Sequence, residues 1–144
     1  MYDTILFATD GSDHAETVTT HAIDAATTRD ATLHVLSIVD DRAFLVLGDD
    51  RVEAIRDDLR ANALEATDEA ATRADEAGLE VETAIDTGHP AECIVDYADE
   101  IGADLIVMGT SGDDYENNVV GSVSQRVVRT ASVPVTTVGP DVDA

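Results

Sequence analysis

Main-chain amides at two glycine-bearing turns are the groups in this sequence best suited to chemistry. Gly109-Thr110-Ser111-Gly112 is followed, after eight residues, by Gly121-Ser122-Val123, which opens an apolar-periodic run. Glycine lets backbone approach a ligand closely, and the first residues of a helix carry N–H groups with no intrahelical partner, where anions are favoured. The pattern reads as a phosphate cradle built from main chain. It is not a Walker A loop, which requires lysine, because all eight basic residues are arginine. A structural account competes with this one. Ser122 and Gln125 have the S-x-x-Q spacing of a capping box, and glycine at a strand end needs no ligand.

Other residue sets carry less. Asp13-His14-Ala15-Glu16 places acids where a helix dipole favours them, which capping explains. His14 and His21 are seven apart and His34 lies in a strand-like run, so no spacing supports a zinc site. His89 and Cys93 are four apart, a spacing that could lower a thiol pKa, although a semi-buried cysteine beside a Gly-His-Pro turn is the simpler reading. Arg126 and Arg129 either offset carboxylates or reach phosphates. There is no nucleophile elbow, no patterned Ser-His-Asp set and no lysine base, so nothing argues for hydrolysis or group transfer.

These turns need elements to position them. Apolar runs at Thr4–Ala8, Ala31–Val39, Leu79–Ile85, Asp104–Met108 and Val133–Val138 predict five strands. Pro134 lacks a ladder donor and so marks a strand start or an edge. Helical periodicity runs from about Asp13 to Thr28, from Arg51 to Ala77, from Pro90 to Ile101 and from Ser122 to about Ala131. The second helix has a stripe at Val52, Ile55, Leu59, Ala63, Ala66, Ala70, Ala74 and Ala77, ended by Gly78. The last helix should bury Val123, Val127, Val128 and Ala131. Alternating strands and helices predict an α/β fold, a single doubly wound parallel sheet with helices on both faces, as one domain over residues 1–144. In such sheets ligands bind beyond the carboxyl ends of the strands where strand order reverses. That singles out Thr9-Asp10-Gly11-Ser12-Asp13, Val39-Asp40 and the glycine-bearing segment. Residues 40–50 form the one extended connection without clear periodicity.

Composition excludes several partners. Thirty-one acidic residues against eight basic ones give a formal net charge of −23, so nucleic acid and anionic membrane surfaces are repelled. No apolar run approaches the length of a membrane span. The N-terminus lacks the basic n-region of a signal peptide, and the one cysteine allows no intrachain disulfide; cytoplasm is the expected compartment. Self-repulsion on this scale is relieved in molar salt, where the Debye length falls to about 3 Å. The surface therefore reads as that of a protein from a salt-accumulating halophile.

The chain resembles the universal stress protein family, in a haloarchaeal-type form, over nearly its full length. The resemblance rests on Tyr2 through Ser12, on Gly88-His89-Pro90, on Ala103 through Thr110, on Gly121-Ser122-Val123 and on Ser132-Val133-Pro134-Val135. It implies a five-stranded sheet of order 3-2-1-4-5 and a homodimer through the C-terminal strand, Val133–Val138. It also implies binding of an adenine nucleotide, ATP or else AMP or ADP, in a stress-response protein whose nucleotide occupancy switches its shape or partners. Gly109, Gly112, Gly121 and Ser122 match the fixed positions of the family's Gly, two residues, Gly, nine residues, Gly-Ser pattern. Gly109, Gly112, Ser122 and Val123 would hold phosphates through amides and one hydroxyl, with Ser111 in the same turn. Asp10 would meet the ribose or adenine side, Val39 would give backbone hydrogen bonds to the adenine edge, and Met108 would line the base pocket.

The sequence departs from that pattern in its spacer, Asp113 to Val120, which has eight residues instead of nine and three carboxylates. One missing residue moves an anchor by about 3.5 Å in an extended loop. A carboxylate 6 Å from a phosphate charge costs ~0.7 kcal/mol in water and ~3 kcal/mol at an effective dielectric of 20. Bound Mg²⁺ would instead make Asp113 or Asp114 a ligand. The alternative is a dimeric stress-related interaction module that has lost nucleotide binding through its short acidic 113–120 loop.

Overall fold

A computed structural model describes residues 3–9, 15–40, 49–110 and 122–139. The elements run β1 (Thr4–Ala8), α1 (Ala15–Arg29), β2 (Thr32–Asp40), α2 (Asp49–Glu76), β3 (Val81–Gly88), α3 (Pro90–Ile101), β4 (Leu105–Gly109), α4 (Ser122–Thr130) and β5 (Val135–Val138). The strands form one parallel sheet of order β3-β2-β1-β4-β5. Central β1 is apolar because both its faces are covered, and Ile5, Leu6 and Phe7 are fully buried. Alternation then divides the core. Ile5, Phe7, Leu33 and Val35 pack with Val18, Ala22 and Ala26 of α1 and with Ala70 and Ala74 of α2. Leu6, Leu36, Ile106 and Met108 pack with Ala91, Ile94 and Ala98 of α3 and Val127 of α4.

Helix ends account for the main shifts in element boundaries. Gly78 has φ of +84°, its N–H donates to Asp75, and the Leu79 N–H donates to the Ala74 carbonyl at 3.1 Å. Leu79 also joins the core cluster that holds Ala74. This is a Schellman ending with its hydrophobic contact, so Leu79 closes α2 and β3 begins at Val81 instead of Leu79. The same pair of bonds ends α1, where Asp30 takes the left-handed position at φ of +55°. Pro134 lies just ahead of β5 and contributes only its carbonyl, which accepts from Ile106 at 3.0 Å.

The α2 stripe is buried only in part. Ala63, Ala70 and Ala74 are buried, Ile55, Leu59 and Ala66 are half-buried, and Ala77 is exposed. A 28-residue helix is about 42 Å long, whereas the nine residues of β2 span about 30 Å, so the helix overruns its sheet. Thr67 is buried in the stripe and satisfies its hydroxyl on the Leu64 carbonyl at 3.0 Å. On α4 the expected burial of Val128 is corrected. Val127 and Ser124 take the covered stripe, Val123 and Ala131 flank it, and Val128 is 52% exposed. Two polar ties lock the frame. The Asp104 carboxylate accepts from the N–H groups of Asp3 (2.9 Å) and Thr4 (3.2 Å). The Arg73 guanidinium donates to the Glu16 carbonyl (3.2 Å) and the Thr20 hydroxyl (2.7 Å), joining α2 to α1.

Candidate functional site

Strand order reverses between β1 and β4: the connection from β1 leads to α1 on one face, and that from β4 leads to α4 on the other. The carboxyl ends of these strands are uneven. β1 stops at Ala8, and its last tie to β2 is the Thr9 N–H donating to Leu36 at 2.9 Å. β2 runs on to Asp40. Peptide groups along a strand alternate in direction. The Thr32 N–H bonds Asp3 on the β1 side and the Leu33 N–H bonds Glu80 on the β3 side, so even-numbered groups of β2 face β1. The N–H and C=O of Ile38 therefore point into the space beyond the end of β1, with no ladder partner among the described residues.

Val39 was expected just after β2. It lies inside the strand, 3% exposed, paired in register with Thr87, and its peptide groups face β3. Ile38, not Val39, has its peptide groups directed past the end of β1. Both are β-branched and apolar, and only the point at which β1 ends distinguishes them. Met108, 5% exposed, sits in the α3/α4 cluster against which Val123 packs, so these two expected residues are brought to one face. Gly109 ends β4 and pairs with Val138. Ser122 opens α4. Asp10, Ser111, Gly112, Gly121, Asp113 and Asp114 lie outside the described residues, as do Asp13, His14 and residues 41–48 of the long connection.

The turn after β4 is held at its base. The Thr110 N–H donates to Val138 at 3.1 Å, and the Thr110 carbonyl accepts the hydroxyl of Ser124, which is 1% exposed. Arg126 pairs with Glu92 at 3.1 Å, which favours the carboxylate-offsetting role.

At the end of β3, Gly88 lies opposite Asp40 with φ of +151°, and a Cβ there would come 2.9 Å from the Cys93 sulfur. Cys93 is half-buried beside the Gly-His-Pro turn, and His89 enters α3 in extended conformation without a side-chain cap. Gly88→Ala is expected to cost about 2–3 kcal/mol from backbone strain and overlap. Adding Cys93→Ala should return about 1 kcal/mol, the overlap part, in urea denaturation.

His34 is spoken for elsewhere. Near the start of β2 its Nδ1 lies 3.4 Å from the Tyr97 hydroxyl and its Nε2 lies 3.5 Å from the Glu82 carboxylate. Burial, and then the charges of Glu82 and Glu100, push the Tyr97 phenol above its ordinary value. Among the described residues no three His, Cys, Asp or Glu side chains cluster as a metal site, and no helix is long and apolar enough to cross a membrane.

A doubly wound parallel sheet whose strand order reverses between β1 and β4 defines the class. The family model for the universal stress protein family matches residues 1–139. Universal stress protein MJ0531 of Methanocaldococcus jannaschii is 36% identical over 137 residues, covering 94% of this chain and 81% of that protein. The chain belongs to the universal stress protein family. Among solved structures, hypothetical protein MJ0577 superposes with a TM-score of 0.90 at 27% identity over 99% of both chains. A universal stress protein from Archaeoglobus fulgidus in complex with dAMP gives 0.71 at 29% identity over 94% and 97% of the two chains. A universal stress protein in complex with cAMP gives 0.72 at 27% over 96% and 97%.

Proposed function

We propose that the chain is a cytoplasmic, nucleotide-responsive stress protein that binds ATP, or AMP or ADP, at the β1/β4 switch point. The observation that carries this reading is the Ile38 peptide. A donor and an acceptor on one residue, facing the space past β1, suit the donor–acceptor edge of adenine and take the role first expected of Val39. Met108 and Val123 supply apolar surface on the α3/α4 face, and the glycine pattern ending at Ser122 supplies amides for phosphate. The dAMP and cAMP complexes of solved relatives support the same ligand class. Mg²⁺ bound with the nucleotide would be held by Asp113 or Asp114, where it would offset charge on the phosphates.

Calorimetry against ATP in molar KCl tests this reading, together with mass spectrometry of small molecules released on denaturation. Gly121→Val should abolish the heat while circular dichroism is retained. A silent wild-type chain would favour the interaction-module reading, to which the short acidic spacer points. In that case restoring a nine-residue neutral spacer should recover binding.

We further propose a homodimer through β5. Of the two sheet edges, β3 exposes Glu82 and Asp86, charges that discourage pairing, whereas β5 carries only Val135, Thr136, Thr137 and Val138. Pro134 and Val138 use their carbonyls on β4, so the peptide groups of Val135 and Thr137 face outward. Thr137→Pro removes an outward donor and leaves the β4 ladder intact. It should convert dimer to monomer in sedimentation velocity, and an unchanged dimer would place the interface elsewhere.

A further inference from the structure

We propose that Ser124 is a positioning residue for phosphate binding, acting through Thr110 without touching the ligand; the inference rests on the nucleotide reading above. Ser124 is in the first turn of α4 and is 1% exposed, on the helix whose Val123 and Val127 join the apolar cluster on that face of the sheet. A hydroxyl at such a place is costly unless it is hydrogen-bonded, and alanine would fill the site without that cost. The Ser124 hydroxyl donates beyond its own helix. It reaches the Thr110 carbonyl, 14 residues earlier. Thr110 is the first residue after β4, and its N–H is held by Val138 of β5.

One peptide on each side of Thr110 is thus fixed, to the edge strand through its N–H and to α4 through its carbonyl. The bond sets the separation of Gly109 from the Ser122–Val123 start of α4, the two described ends of the phosphate-binding pattern. Main-chain cradles depend on such fixed separations, because amides cannot reach for a ligand as a lysine can. Losing the clasp should leave both halves folded and let their spacing drift.

The test uses Ser124→Ala and Ser124→Thr in the full chain, in molar KCl. With ATP and ADP as probes, Ser124→Ala should weaken binding by about tenfold, with adenosine unchanged and Ser124→Thr within about threefold of wild type. Equal losses for adenosine and ATP, no loss at all, or failure of threonine to rescue would each overturn the proposal. Amide hydrogen exchange without nucleotide gives a second readout. Thr110 should exchange faster in Ser124→Ala and recover in Ser124→Thr, and unchanged exchange in Ser124→Ala overturns the clasp. Should the wild-type chain bind no nucleotide while Ser124 still governs Thr110 exchange, the ligand reading fails and the clasp stands.

Discussion

Diluting the salt from molar KCl to about 0.1 M should remove on the order of 5 kcal/mol of stability, read as a large fall in the urea midpoint. The cause is self-repulsion of a chain with formal charge −23 held in a compact volume. The Debye length grows from about 3 Å to about 10 Å over this range, so charges on opposite walls of one helix begin to interact. The outer face of α2 concentrates the problem, with Asp57, Asp58, Glu65, Asp68 and Glu69 all exposed. Few cations offset it: Arg73 donates to a carbonyl and a hydroxyl, and Arg126 pairs with a single glutamate. A domain of this size has about 5–15 kcal/mol in total, so the loss approaches unfolding. Changing those five α2 acids to amides should flatten the salt dependence. If the midpoint is the same at both salt concentrations, the acidic surface is not a salt adaptation.

What the sequence discloses depends on whether the deciding contact is local. Thr4–Ala8 and Leu105–Gly109 are legible because burial on both faces demands an unbroken apolar run. Leu79 misleads because an apolar residue after Gly78 looks like a strand start, and only the Ala74 carbonyl shows that it closes a helix. Asp30 hides the same ending, since aspartate tolerates the left-handed conformation without announcing it as glycine does. The α2 period is plain in the spacing of its alanines, but the depth of burial depends on the length of the strands beneath. Val128 shows the same limit on α4: it has the right residue type on a face whose width nothing local sets. The place of Gly109 at the end of β4 and of Met108 and Val123 on one face of the sheet follows from pattern and topology. Ile38 does not, because its exposed peptide exists only where β1, thirty residues earlier in the chain, comes to an end. Ser124 is equally silent, since a serine in a helix gives no hint of a partner 14 residues away.

ATP should bind more tightly as KCl is raised, by on the order of tenfold between about 0.1 M and 1 M. This is opposite to the usual behaviour of polyanion sites, where salt competes with lysine and arginine for the ligand. Here no lysine exists and Arg126 already holds Glu92, so the proposed cradle would grip through peptide dipoles, which short-range contact makes insensitive to salt. The net field of the chain is repulsive and long-ranged, and salt removes it. Three negative charges at about 10 Å from a ligand of charge about −4 repel it by about 2 kcal/mol at 0.1 M and by about 0.2 kcal/mol at 1 M. Adenosine, which carries no charge, should show a nearly flat dependence, and Mg²⁺ should reduce the slope for ATP by halving the ligand charge. Calorimetry of ATP and adenosine across the same salt series separates the field from the contacts. An ATP affinity that falls with salt would mean that cationic side chains grip the phosphates, and the main-chain cradle would have to be abandoned.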